Sequence, residues 1–216
     1  MGTRTVFLEE LENLNNDVIK MGTMLETSIA LMIRAINNRS VSMAENVIMR
    51  DDQIDDMQLS IEQECILLIA KQQPIATDLR EVTSIMKLVT DIERIADHCS
   101  DISEYLLDLF EKPKMGEPKD LQKMIESMRE MTTNIIISYV NRDIGLAQRV
   151  HDQDDIVDQY FNIIRSELTK TMQEKPAFIP QCVDYLMIIK YLERMADHSA
   201  NIARWIQFIV TGELEQ

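Results

Sequence analysis

Glycine and proline are scarce in this chain, five of each in 216 residues, and aromatic residues make up only 5%. So few backbone breakers exclude the many tight turns that a β-rich fold requires. No apolar run approaches the ~20 residues needed to span a bilayer. Cysteine is limited to Cys65, Cys99 and Cys182, which are isolated and form no CxxC pair. That spacing excludes a disulfide framework and fits a reducing compartment. Residues 1–14 lack a basic region followed by an apolar core, so no signal peptide is expected and the chain is read as cytoplasmic. Basic residues are also in deficit, 22 against 37 acidic ones, for a formal net charge of −15. A nucleic-acid partner is excluded, because phosphates would be repelled with no basic stripe to meet them. The same charge favours cations, or a basic protein surface.

What is abundant is helical period. Leu11, Leu14, Val18, Met21, Leu25, Met32 and Ala35 follow alternating steps of three and four, with Ser28 filling the gap. This predicts a first helix of about 30 residues packed in a bundle. Asn37–Ser40 breaks the stripe, and Ser42-Met43-Ala44-Glu45 reads as a capping box for a second helix. That helix carries Val47, Ile54, Met57, Ile61, Cys65 and Leu68 on one side and ends near Gln73-Pro74. Pro74 suits the first turn of a third helix, with Val82, Ile85, Val89, Ile92, Ala96 and Cys99 inward. Residues 113–118 form the one linker-like stretch. Beyond it, Leu121, Met124, Met128, Met131 and Ile135 mark a fourth helix. Asp143 caps a fifth, through Leu146, Val150, Val157, Ile164 and Leu168. Pro176 and Pro180 introduce a sixth, with Leu186, Ile189, Leu192, Ala196, Ala203 and Ile206. The fold class is therefore all-α, in two tandem, pseudo-symmetric three-helix bundles over 1–112 and 119–216.

The symmetry is visible in the residues. Leu-Glu-Arg-Met-Ala-Asp-His at 192–198 repeats Ile-Glu-Arg-Ile-Ala-Asp-His at 92–98, displaced by 100 positions. Asp154-Asp155-Ile156-Val157-Asp158 likewise resembles Asp51-Asp52-Gln53-Ile54-Asp55. Internal duplication is the best account of both.

Each half carries two acid pairs four residues apart: Asp51 with Asp55 and Glu93 with Asp97, then Asp154 with Asp158 and Glu193 with Asp197. Residues four apart share a helix face, and like charges there repel. A bridging cation would offset that cost. Folding the second helix back near Pro74 puts Asp55 and Glu93 both ~28 Å from the tip, at ~1.5 Å per residue. Asp51 and Asp97 match one turn further along. The same count about Pro176 pairs Asp158 with Glu193 and Asp154 with Asp197. On a helical wheel Glu93 sits at the edge of the apolar arc, and Asp97 and Asp101 step towards solvent. Asn201 takes the place of Asp101 in the second half, which should therefore carry less charge. Oxygen-only ligands favour magnesium, manganese, calcium or iron, with zinc also admitted. No Glu-x-x-His pair occurs, so the di-iron oxidase pattern is missing. His98 and His198 are rotated away from the acids and read as structural. No base, nucleophile or basic phosphate clamp is placed near the acids by spacing, which argues against a metal-dependent phosphoester hydrolase. A plain scaffold with a solvated acidic face is the remaining alternative.

These residues resemble the PhoU family. The resemblance rests on the four acid motifs, the doubled Glu-Arg-[Ile/Met]-Ala-Asp-His, and Pro74-Ile75-Ala76-Thr77-Asp78-Leu79-Arg80, which is similar to that family's P-x-A-x-D-L-R segment. It covers nearly the whole chain and implies a non-enzymatic negative regulator of phosphate uptake and phosphate-regulon signalling. The partners it implies are the ATPase of a phosphate ABC transporter and a sensor histidine kinase, with membrane association only through them. It also implies multinuclear metal sites, iron foremost, on Asp51, Asp55, Glu93, Asp97 and Asp101, and on Asp154, Asp158, Glu193 and Asp197. Asp78 and Arg80 become candidate partner contacts in the first half alone, since Phe178-Ile179-Pro180 stands there in the second. The long apolar stripes point to a homodimer.

Overall fold

The structure, a computed structural model, describes residues 3–213. Six long helices account for nearly all of it: α1 Thr3–Asn38, α2 Val41–Gln72, α3 Thr77–Glu111, α4 Leu121–Asn141, α5 Ile144–Glu174 and α6 Ile179–Thr211. Helices α1, α2 and α3 pack on one another, as do α4, α5 and α6. The architecture is two tandem three-helix bundles.

The apolar stripes face inward. Leu14, Val18, Met21, Leu25 and Met32 of α1 are buried, and so is Ser28 in the gap between them. Met57, Leu146 and Leu186 are only half-buried, at the margins of their stripes. Cys65, Cys99 and Cys182 are free thiols in the core.

Two helix starts differ from the sequence reading. The cap of α2 is Ser40, not Ser42: its hydroxyl accepts from the Met43 amide at 3.4 Å. Helix α1 runs to Asn38, so Ser40 directly follows its left-handed exit at Arg39 and takes the cap first. Pro74 lies in the connection, ahead of the α3 N-cap at Ala76. Gln73 ends α2 in the left-handed region, which turns the chain before Pro74. Asp143 does cap α5, accepting from the Leu146 amide at 2.9 Å.

The halves meet mainly through α3 and α6. His98 stacks on Tyr191 at 5.2 Å between ring centroids, and His198 Nδ1 lies 2.8 Å from Asp91 Oδ1. These crossed pairs (98 with 191, 91 with 198) set the two helices antiparallel about a local two-fold axis. At one end of this seam Lys112 pairs with buried Asp184 at 2.6 Å. At the other, the Arg80 guanidinium lies over the Phe208 ring, 5.9 Å from its centroid. It also fills the space where a side chain on Gly212 would go; that glycine ends α6 at φ +81°. Helices α1 and α4 also touch, where Gly22 faces Ile136 so closely that a Cβ would sit 3.3 Å from it. Beside that contact Tyr139 Oη donates to Asn15 Oδ1 at 2.5 Å, and Arg142 pairs with Glu81.

Breaking the Lys112–Asp184 pair from one side strands a carboxylate that is only 5% exposed. Lys112→Met is therefore expected to cost ~3 kcal/mol of stability. The double variant Lys112→Met/Asp184→Leu should recover most of it, as measured by denaturant melts.

Candidate metal centre

Helices α2 and α3 pack side by side and bring three acids to one place. One carboxylate oxygen from each of Asp51, Asp55 and Asp97 lies within 4.8 Å of the other two. Glu93 sits one turn from Asp97, close enough for the charges of all three aspartates to act on it. Side-chain exposure rises outward along α3, from 15% at Glu93 to 29% at Asp97 and 39% at Asp101. That order follows from 100° per residue on a helix whose apolar arc ends at Glu93. Asp101 is not in the convergent group. It turns to His98, with Oδ2 3.2 Å from Nδ1.

The electrostatics are those of crowded, partly dehydrated acids. Burial first, and the Asp97 charge second, push the Asp51 carboxyl up to about 6 and Glu93 up to about 7. Asp55 is raised for the same two reasons. Arg94 is the cation in contact, 2.8 Å from Asp97 and 3.4 Å from Glu93. It leaves Asp51 Oδ1 and Asp55 Oδ1 buried without a hydrogen-bond partner. Buried carboxylate oxygens with no donor are costly, and a hard cation is the ligand that suits them. The cluster could hold a metal.

The second set is built differently. Asp154 is raised to about 6 by burial and then by Asp197, and Glu193 and Asp197 are raised also. Among the described residues, however, no trio of these acids converges as the first set does. Asp158 and Asp197 are exposed. Burial and then the Asp158 charge raise Asp197, and the charges of His198, Arg194 and Arg204 partly oppose them.

The histidines are not part of the convergent trio, but each meets an acid. His98 and His198 face each other across the α3–α6 seam, 5.6 Å between centroids. Each has its Nδ1 at an aspartate, Asp101 for His98 and Asp91 for His198. The sequence reading of no basic clamp near the acids does not hold in three dimensions. Arg94, Arg194 and Arg204 line one pocket with Asp154 and Asp197. The doubled heptapeptide carried that signal, since it repeats an arginine as well as an acid. Asp78 and Arg80 both have partners within the chain: Asp78 pairs with Arg4, and Arg80 lies against the end of α6.

Known proteins share this fold. The PhoU domain model matches the chain twice, over residues 18–106 and 121–206. The chain belongs to the PhoU family. A phosphate-specific transport system accessory protein PhoU homolog of Clostridium acetobutylicum is 36% identical over 98% of this chain and 97% of its own. The homolog of the same name in Aquifex aeolicus is 34% identical over 86% and 84%. Two crystal structures superimpose over nearly the full length. The phosphate transport system regulatory protein PhoU of Streptococcus pneumoniae has a TM-score of 0.91 at 30% identity, covering 97% of this chain and 99% of its own. PhoU of Pseudomonas aeruginosa has a TM-score of 0.93 at 29% identity, covering 96% and 100%. Among the described residues, no helix is long and apolar enough to cross a membrane.

Proposed function

We propose that this chain is a regulator, without catalytic activity of its own, that restrains inorganic phosphate uptake and the starvation response. The observation that carries the reading is similarity across almost the entire chain to proteins named as phosphate-transport accessory and regulatory proteins. Its partners are the ATPase subunit of a phosphate ABC transporter and the sensor histidine kinase of the regulon, met in the cytoplasm. A homodimer is the proposed assembly. The functional units are 1–112 and 119–216, joined by 113–118. The net charge of −15 supports docking on basic cytoplasmic surfaces.

In this proposal the first acid set holds a cation on Asp51, Asp55, Glu93 and Asp97, with Asp101 at its outer edge. The buried unpartnered oxygens of Asp51 and Asp55 support that assignment. A cation held there would tie α2 to α3 and cancel the repulsion between them. Asp154, Asp158, Glu193 and Asp197 form a weaker second centre. Oxygen donors leave iron, manganese, magnesium, calcium and zinc as occupants, iron first by family resemblance.

The arginines near Asp154 favour one other reading, a metal-dependent phosphoester hydrolase. A phosphomonoesterase assay on metal-loaded protein separates the two, and no turnover is expected. Co-purification from cells tests the adaptor role. The transporter ATPase or the kinase should be captured at low salt and released as salt rises, since exposed charges are screened over ~8 Å at physiological ionic strength. Capture of neither at low salt would sink the adaptor mechanism. A strain lacking this protein should also express phosphate-starvation genes at high phosphate, read from a reporter.

A further inference from the structure

We infer that the pocket where α3, α5 and α6 meet binds inorganic phosphate, as an anion that still carries a P–OH group. The pocket has a volume of about 440 Å³ and lies where the two bundles meet. Arg94 of α3 and Arg194 and Arg204 of α6 line it, as do all three histidines of the chain. Such a concentration of donors is unexpected on a protein of net charge −15; the charges of Arg194 and Arg204 partly offset those of Glu193 and Asp197, but direct ion pairing uses only one of the three arginines. Arg94 is paired with Glu93 and Asp97. Arg194, by contrast, makes no ion pair or hydrogen bond among the described residues, and Arg204 contacts only the Asn201 amide oxygen. Two guanidinium groups therefore face the pocket with donors to spare, and a planar fork of N–H groups suits a tetrahedral oxyanion. His98 and His198 keep Nδ1 engaged by Asp101 and Asp91. Their remaining ring nitrogens are the ones free to meet a ligand.

Two acids that line the same pocket decide which oxyanion. Asp154 and Asp197 would repel a fully deprotonated anion, yet each can accept a hydrogen bond. Sulfate has no proton to offer at neutral pH. A phosphate monoester has largely lost its last one, with a second pKa of about 6. Inorganic phosphate keeps a hydroxyl in both of its near-neutral forms, so it alone can donate to a carboxylate while it accepts from arginine. The mixed lining thus selects hydrogen phosphate. Because α3 supplies one wall and α5 and α6 the others, the anion would bridge the two halves at their seam. The regulatory meaning of such binding rests on the function proposed above; the pocket chemistry does not.

The test uses the full-length protein after chelator treatment, so that no bound cation ligates the anion. Phosphate, sulfate and AMP are titrated at constant pH near 7 by calorimetry. The imidazole signals are followed by NMR, where only His98, His151 and His198 contribute. Saturable phosphate binding is expected, with histidine shifts that follow the same isotherm. Sulfate and AMP should bind at least about tenfold more weakly, a difference of about 1.4 kcal/mol. R194Q/R204Q should weaken phosphate binding at least about tenfold, while R165Q, on the exposed face of α5, leaves it unchanged. D197N should erode the preference for phosphate over sulfate. The wild-type NMR titration stands even if the double variant fails to fold. No saturation by about 10 mM phosphate, binding that leaves all three histidines unmoved, or sulfate or AMP binding as tightly as phosphate would each overturn the assignment. Loss of phosphate binding with transporter capture intact rejects this inference alone. Phosphate binding without any capture rejects only the adaptor role.

Discussion

Replacing Glu93 and Asp97 together with alanine is expected to empty the first acid set and leave the second largely occupied. Asp97 is the common member of the cluster. Its oxygen converges with those of Asp51 and Asp55, and after burial its charge is the largest cause of the raised carboxyls of Asp51, Asp55 and Glu93. Without it, α3 no longer offers a ligand opposite the α2 pair. Two aspartates on one face of a helix are too few for a hard cation that takes six or more oxygens. Elemental analysis of protein purified without chelators should show metal per chain falling by about half or more, as the better-formed site is lost. The mirror variant, Glu193→Ala/Asp197→Ala, should have the smaller effect, because those acids do not converge to the same degree. Unchanged metal content in the first variant would show that the ligands are wrongly assigned.

The metal-free protein is expected to lose stability as pH rises from 5 to 7.5, opposite to a protein whose acids are satisfied by donors. The sign follows from the direction of the shifts. Asp51 and Glu93 are held up to about 6 and about 7 by burial and then by Asp97, above their ordinary values of 3.8 and 4.5. The folded chain thus binds more protons than the unfolded chain across that interval. Stability falls wherever the folded state holds the extra proton, so the contribution is whole below about pH 4 and is lost by about pH 7. Two groups displaced by about two units each, coupled and partly solvated, amount to about 3 kcal/mol. Urea midpoints of chelator-treated protein should therefore be higher at pH 5 than at pH 7.5. Asp51→Asn/Glu93→Gln should flatten that slope and raise the midpoint at pH 7.5. Metal-loaded wild-type protein should flatten it too, since a bound cation stabilises the ionised forms. An equal slope in the metal-free wild type and in the double amide variant would rule out these two carboxyls as its source.

Much of this was legible in the amino-acid order, because it depends on helical period. One face every 3.6 residues places Leu14, Val18, Met21 and Leu25 in the core, and the same rotation brings Asp51 above Asp55 and Glu93 below Asp97. A hairpin of two straight helices has one free parameter, the position of its turn. The break at Gln73-Pro74 locates it to within a residue or two, which is why acids about forty positions apart could be matched in height. The doubled heptapeptide extended the same reasoning to the second half. Helix starts were less legible. Ser40 and Ser42 offer the same hydroxyl two residues apart, and where α1 chooses to end decides between them.

Only the tertiary structure decided how the halves are joined and what lies along the join. The antiparallel packing of α3 on α6 depends on which apolar faces of the two bundles fit, a property of surfaces and not of any local period. That packing sets His98 against Tyr191 and His198 against Asp91, and it places Arg94 with Arg194 and Arg204 around one pocket. It also breaks the equivalence of the duplicated acids. Identical spacing in α5 and α6 yields a set that does not converge in the same way: the charges of His198, Arg194 and Arg204 act on Asp197, while Asp51 and Asp55 each keep one buried oxygen without a hydrogen-bond partner. Spacing along a helix determines which side chains share a face; the charges that arrive from other helices determine what those side chains can hold.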